Sequence, residues 1–295
     1  MKVREVNTIT NKANIFINII LALYSFICII PIIIVLSVSL SKESDVVDKG
    51  YRLIPSNITF YAYKFVFKDG TTIVNAYKNT IFVTITGTIL SLIIIALFAY
   101  PLSRKTLKYR KQFTFFLFFT MLFSGGLVPW YIVCSQLLHI TNTYLALILP
   151  YIMNAWYVII MRTFFSTNIP DSIIEAARID GAGEALTFFR IVVPLSLPAF
   201  ATVGMFITLS YWNDWWLNLI LTTDSRFYCL QYLLMKMLTS SDIIMKMHDP
   251  KMMLETPSET ARMAMCLLAV GPIVLAYPFF QKYFVKGLTV GSLKG

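Results

Sequence analysis

Six stretches of this chain each run for 18 residues or more without a charge: Ile15–Leu40, Ile81–Leu102, Phe113–Cys134, Tyr144–Met161, Ile191–Asn213 and Met263–Phe280. An α-helix rises 1.5 Å per residue, so roughly 20 apolar residues cross a hydrocarbon layer ~30 Å thick. Lipid offers no partner to a backbone amide, which leaves helices and closed barrels as the only spanning structures. Barrel strands show as alternating segments of about ten residues, and these runs are longer and uniformly apolar. The pattern predicts an all-α polytopic membrane protein, six transmembrane helices in one domain over 1–295, with no large soluble domain. Charged residues make up 14% of the chain, against about 25% in soluble domains.

The first run follows Lys2, Arg4 and Lys12, as the core of a cleaved signal would. Its 26 residues far exceed the roughly 7–15 of a signal's apolar core, so it is expected to stay as a helix. The net charge of +10 reads as orientation. Residues 103–112, SRKTLKYRKQ, hold five of the 25 basic residues and no acid, and Lys282, Lys286 and Lys294 follow the sixth run. Bases gather in short cytoplasmic segments, which places 1–14, 103–112 and 281–295 inside. Residues 41–79 and 221–260 are then outside, where bases and acids nearly balance at six to four and four to five. The expected partner of the charge is the bilayer, with no nucleic acid.

No reactive centre is legible. Cys28, Cys134, Cys229 and Cys266 form no C-x-x-C pair and read as small buried hydrophobes. His139 and His248 stand in separate loops, and neither is expected to bind a metal or catalyse. The nucleophile elbow, zinc-helix, dinucleotide and phosphate-loop motifs are missing. The expectation is a non-enzyme with no cofactor of its own, whose energy for uphill work comes from another chain or from an ion gradient.

The segment EAARIDGAGEALTFFRIVVP (175–194) breaks the charge pattern. The loop 162–190 carries three bases against four acids, so something besides orientation selects its residues. Ser172-x-x-Glu175 reads as a capping box behind Pro170 and Asp171, and Gly181 as a stop. Glu184–Arg190 is expected to continue as a second short helix into Ile191. Ala176 and Ala177 leave the first helix thin enough for another protein to approach closely.

These residues carry a resemblance. Glu175-Ala176-Ala177, then Gly181, Ile191 and Pro194, resemble the E-A-A-x3-G-x9-I-x-L-P signature of ABC importer permeases, with Val193 in place of the leucine. NIPDSIIEAARIDGAG, FSGGLVPWYI (123–132) and PFFQKYFVKGLTVGSLKG (278–295) are similar to the carbohydrate-uptake, maltose-type branch. They look most like permeases of lipoprotein-linked polysaccharide uptake in Gram-positive bacteria. The resemblance implies a type I ABC importer permease fold in the bacterial plasma membrane, with a cytoplasmic coupling-helix loop at 162–190. It implies a second homologous permease, two ATP-binding subunits that hold ATP and Mg, and an extracellular sugar-binding lipoprotein as partners. Glu175, Ala176, Ala177, Arg178, Asp180, Gly181, Ile191 and Pro194 would serve ATPase docking, with Arg178 facing an acid on that partner. The substrate implied is an oligosaccharide or a polysaccharide fragment.

A saccharide needs hydrogen-bonding partners and flat faces to stack on. Ser210, Asn213 and Asp214 share one helical face at i, i+3 and i+4, and an acid within a membrane is a functional candidate by default. The candidate lining of the sugar path is Asn213, Asp214, Asn154, Trp130, Tyr131 and Trp212. For Trp212, Trp215 and Trp216 an interfacial belt is the competing reading. Thr80, Thr84 and Thr88, with Gly87, read as a helix-packing face. Six methionines in 221–260 (Met235, Met237, Met245, Met247, Met252, Met253) suit either an adaptable contact with a binding protein or a segment lying on the bilayer. The alternative function is a proton-coupled secondary sugar carrier acting alone, with Asp214 as its relay.

Overall fold

The computed structural model describes residues 11–246 and 259–292. Lys2, Arg4, Met247, His248, Met252, Met253 and Lys294 lie outside the described residues. Among the described residues the chain is helical, and its only extended pairing is an isolated bridge between Ser41 and Ile58.

Among the described residues, two single helices, Ala13–Ser39 and Gly70–Ser103, are long and apolar enough to cross a membrane. Three further runs reach that length only as bent pairs. Arg110–Leu122 and Leu127–Leu137 meet at 110°, Tyr144–Tyr151 and Ala155–Asn168 at 50°, and Glu184–Leu195 and Leu197–Trp212 at 80°. Six continuous helices were expected, and these three runs differ from that expectation. The sixth run, Met263–Phe280, falls inside a helix over Glu259–Ser292.

Each break has a local cause. Pro198 has no N–H for the carbonyl of Pro194, and its ring crowds that carbonyl, so the helix turns at Ser196. Gly126, at φ +85°, follows the extended Phe123 and separates the halves of the third run. In the fourth run a tight turn over Leu149–Tyr151 contains Pro150. The chain then extends at Asn154, whose side chain accepts the Trp156 N–H at 2.9 Å and starts the next helix.

The chain gathers into two compact units. One comprises Met1–Gly70 and Met237–Leu268. Its first helix, Asn11–Ser39, turns its apolar side chains outward, with Phe16 at 65% and Tyr24 at 66% exposed. Water contact would cost about 1.5–3 kcal/mol for each such side chain, and surrounding lipid removes that cost. Cys28 is on this outward surface, not buried as expected, because the helix faces its surroundings until its last turn, where Ser37, Val38 and Ser39 are buried. Glu43 is buried and caps the start of the Glu259–Ser292 helix. Its carboxylate accepts the Glu259 N–H, the Thr260 N–H and the Thr260 hydroxyl at 2.9, 3.0 and 2.6 Å.

The other unit comprises Thr71–Lys236 and Ala269–Gly295. Ala155–Asn168 packs between Leu197–Trp212 and Arg110–Leu122, burying Val158, Met161 and Phe165 completely. Gly70–Ser103 meets Leu197–Trp212 along small and hydroxyl residues, but among the described residues only Thr88 of the expected threonine face bonds across, and Thr84 Oγ1 is buried without a partner. The hydroxyls of Thr88 and Thr208 lie 3.3 Å apart, and Ser91 lies 3.2 Å from the hydroxyl of Tyr211. Thr80 turns elsewhere, accepting the Leu230 N–H at 2.8 Å.

Gly87 is the closest approach in this seam. A Cβ there would stand 2.6 Å from the Tyr211 ring. That ring cannot retreat, because its buried hydroxyl also donates to the Ile148 carbonyl at 2.8 Å. Gly87→Ala is expected to cost about 1–3 kcal/mol by overpacking, read as a lower thermal midpoint of the detergent-solubilised protein. A Gly87→Ala/Tyr211→Ala double variant should lose less than the sum of the two single losses.

Candidate functional site

The interrupted segment folds as a small knob. Its helix, Asp171–Ile179, opens at Pro170 with φ −58°, and no side chain caps it. The expected capping box is not made: the proline's fixed φ starts the helix ahead of Ser172, which therefore sits inside the first turn. Asp171 instead reaches Arg104 and Lys105 at 3.5 and 3.4 Å. The exit matches expectation. Gly181 takes φ +81°, the Ala182 N–H bonds the Ala177 carbonyl at 2.9 Å, and the Gly181 N–H bonds that of Arg178 at 3.1 Å. A second short helix, Glu184–Thr187, runs through a wider turn, Phe188–Val192, toward Pro194.

The knob has two faces. Ile174 and Ala177 are buried on the inner one, so Ala177 supports the helix from behind. Glu175, Ala176, Arg178, Ile179 and Asp180 are exposed, Ile179 at 86%. Ile191 is half-buried and Pro194 is exposed on the run that follows.

Arg178 meets an acid within its own chain, since its guanidinium donates to Glu184 Oε1 at 2.8 Å. Tyr100 donates its hydroxyl to Glu184 Oε2 at 3.0 Å. Arg178 first, then Tyr100, holds the Glu184 carboxyl below its ordinary range, and the same contact pushes Arg178 up. Between knob and Gly70–Ser103 lies a cleft of about 690 Å³, with Tyr100, Arg104, Asp171, Ile174, Glu184 and Phe188 among its walls.

The breaks in the third and fourth runs each open onto a cavity. One, of about 210 Å³, is lined by Tyr151, Asn154, Tyr157, Ile207, Ser210 and Tyr211. Asn154 spends its Oδ1 on the Trp156 N–H, and its amide nitrogen is left for another partner. The Tyr157 hydroxyl lies 3.4 Å from Ser210 Oγ. The other cavity, about 540 Å³, is bounded by Gly125, Gly126, Pro129, Trp130 and Trp216.

The remaining candidates are placed differently. Asp214 is occupied at both oxygens, by the Tyr151 hydroxyl at 3.0 Å and the Leu217 N–H at 3.2 Å. Trp212 is buried and its indole donates to the Ala269 carbonyl at 2.9 Å. Asn213 ends its helix, donating to the Leu209 carbonyl at 3.0 Å. Tyr131 is exposed and lines neither cavity. Sequence reasoning missed Tyr100, Glu184, Tyr151, Tyr157 and Tyr211. The three-residue spacing Tyr151-x-x-Asn154-x-x-Tyr157 was the available signal for two of them.

Among the described residues no three His, Cys, Asp or Glu side chains gather to hold a metal ion. The family described as binding-protein-dependent transport system inner membrane component matches residues 112–290, a stretch that includes the knob and both cavity-lining breaks. The chain is 39% identical over 276 residues to the polygalacturonan/rhamnogalacturonan transport system permease protein YtcP of Bacillus subtilis, covering 93% of this chain and 96% of that one. It is 35% identical over 269 residues to protein LplC of the same bacterium, covering 91% and 90%. Its fold is similar, at a TM-score of 0.80 and 29% identity, to a bacterial ABC transporter involved in the import of the acidic polysaccharide alginate, covering 95% of this chain and all of that one. The chain therefore belongs to the binding-protein-dependent transport system inner membrane component family, as the membrane permease subunit of an ABC importer whose ATP and Mg act on a separate ATPase.

Proposed function

We propose that this permease imports an oligosaccharide or polysaccharide fragment, driven by an ATPase that grips the knob at 171–186. The observation that carries the reading is the outer face of that knob. An almost fully exposed isoleucine, Ile179, stands among Glu175, Ala176 and Asp180 on a helix that the Gly181 turn closes. Such an apolar anchor ringed by charge is the composition of an interface hot spot. Ala177, Gly181, Ile191 and Pro194 shape and support the knob. Arg178 serves its geometry through Glu184.

The partners proposed are a second homologous permease, two ATP-binding subunits and an extracellular sugar-binding lipoprotein, in a bacterial plasma membrane. Residues 1–14, 162–190 and 281–295 are assigned to the cytoplasm, 41–79 and 221–260 to the outside. The saccharide class is supported by the polysaccharides in the names of the similar proteins.

The break at Asn154 supports the sugar path. Irregular backbone at membrane depth is tolerated only where protein covers it or a water-filled cavity adjoins it, and broken helices build transporter sites. Here the break adjoins tyrosine rings, a serine hydroxyl and a free amide N–H, the groups a sugar stacks on and bonds to. Trp130 is proposed as a second aromatic contact in the neighbouring cavity, with Asn213 and Tyr131 toward the outer end. Asp214 and Trp212 hold the walls in place. Against the carrier alternative stand the family match and the similar proteins, which are transport-system permeases and an ABC importer.

Two outcomes follow for the complex reconstituted with its ATPase, second permease and binding protein. Ile179→Asp is expected to weaken ATPase binding by about tenfold or more, and Glu175→Lys to abolish the stimulation of ATP hydrolysis by sugar-loaded binding protein. Normal stimulation in both variants would sink the docking reading. Asn154→Ala and Tyr157→Ala should lower sugar uptake into vesicles by about tenfold while ATPase binding stays intact. Unaltered uptake in both removes this cavity from the path.

A further inference from the structure

A knob that receives force must be joined to something that moves. The contacts of this one are uneven. Ile174 and Ala177 support it from within, and polar side chains reach across the 690 Å³ cleft to Tyr100 on the Gly70–Ser103 helix and to Arg104 and Lys105 just past its end. We infer that Tyr100 and Glu184 form the joint through which movement of the knob is passed to the Gly70–Ser103 helix. The inference rests on the docking role proposed for the knob.

Glu184 is shared between both sides. Its Oε1 takes the Arg178 guanidinium from the knob helix, and its Oε2 takes the Tyr100 hydroxyl from the spanning helix. Arg178 bonds a group that lies beyond the Gly181 turn, so the same carboxylate also fixes the angle between the two short helices. The joint is firm on the side of the spanning helix. Tyr100 is only 7% exposed, with its ring 5.2 Å from that of Phe188 and the Arg104 guanidinium 5.3 Å over its centre. Arg104 in turn donates to the Phe165 carbonyl at 3.3 Å. The tyrosine is held in one orientation, and its hydroxyl can act as a fixed post.

The other bridge across the cleft is weaker. Asp171 and Lys105 are 54% and 81% exposed at their side chains, and both ion pairs of Asp171 are longer than 3.3 Å. Beyond hydrogen-bond length an exposed pair keeps little attraction. The bonds to Glu184 are shorter, at 2.8 and 3.0 Å, and charge-assisted bonds of that length are the stronger class; Arg178 and Glu184 are 60% and 64% exposed at their side chains, so length and not burial sets the two bridges apart.

The helix that receives the motion leads to the proposed sugar cavity. Tyr100 lies three residues before the end of Gly70–Ser103. Farther along the same helix, Ser91 touches the Tyr211 hydroxyl and Gly87 lies under the Tyr211 ring. Tyr211 lines the 210 Å³ cavity. One continuous helix therefore connects the joint to a cavity wall, and both Tyr100 and Glu184 are positioning residues that touch neither sugar nor ATP.

The test is the amount of sugar taken up per ATP hydrolysed, measured on the full complex in vesicles. Tyr100→Phe removes one hydroxyl and keeps the packed ring, and Glu184→Gln keeps the shape and removes the charge. Each is expected to lower uptake per ATP by about tenfold, the scale of one hydrogen bond to a charged group. ATPase assembly, ATP hydrolysis and thermal midpoint should hold in Tyr100→Phe, whose residue lies outside the knob. The double variant should be no worse than Glu184→Gln alone, since both remove one joint. Asp171→Asn is expected to change the ratio by less than about twofold.

Normal uptake per ATP in Tyr100→Phe and Glu184→Gln overturns the inference. So does a loss that tracks a fall in the thermal midpoint, which marks a structural role alone. Glu175→Lys separates the two levels of the argument. If it and Ile179→Asp both stimulate normally, the docking reading fails; if it is silent while Tyr100→Phe couples normally, only the joint fails.

Discussion

A peptide group inside hydrocarbon has no water to bond, so every interruption of a spanning helix must be compensated by the protein itself. This constraint governs more of the molecule than its apolar content does. The Gly70–Ser103 helix satisfies it by continuity. The fourth run satisfies it by local substitution: Asn154 Oδ1 replaces a missing carbonyl for the Trp156 N–H, and just past the fifth run Asp214 Oδ2 does the same for the Leu217 N–H. The substitution at Asn154 brings a polar side chain into an otherwise apolar run. Polar groups recruited to close a break are then available to line a cavity. In this permease the structural repair and the proposed sugar contact are the same side chain at Asn154.

The seam between Gly70–Ser103 and Leu197–Trp212 follows from a related limit. Lipid tails match leucine in polarity, so apolar side chains gain little by choosing each other over lipid, and close packing must supply the attraction. Gly87 permits that approach, and Tyr211 fills the space it leaves. The ring is then fixed by bonds to Ile148 and Ser91. Tyr211 consequently serves two surfaces, the seam on one side and the cavity on the other. Rigid packing of this type has few intermediate arrangements, which suits a helix that is to move as a body.

The six apolar runs were legible because lipid imposes a length and a composition that few other folds share. Their breaks were not, because a count of uncharged residues is blind to backbone. Pro194 and Pro198 stand four apart and jointly remove a helical bond, yet neither lowers the apolar count enough to be noticed. The stop at Gly181 was readable, as a left-handed residue at a helix end has few other identities. The start was misplaced, because Pro170 fixes φ ahead of Ser172 and the capping box lost its geometry. Arg178 was assigned to a partner's acid, since no spacing rule links it to Glu184 across a glycine turn. Tyr100 lies 84 residues from Glu184, and only the fold brings them together. Trp212 looked like a belt or pathway residue from its neighbours, and its indole bond to Ala269 is likewise tertiary.

Charge placement in the knob separates two tasks that one segment must perform. A surface that docks another protein has to stay open, and a lever has to be tied down. In the proposed docking the helix assigns these tasks to alternate faces. Ile179, Ala176 and Glu175 remain exposed, whereas Ile174 and Ala177 turn inward. Arg178 belongs to the outer face by exposure and to the lever by bonding, because Glu184 draws it back across the turn. An unpaired arginine there would offer the partner a flexible charge at a cost in side-chain entropy on binding. Paired with Glu184, it is ordered beforehand, so in the proposed docking binding energy at the knob is available for moving the helix and is not consumed in arranging the contact.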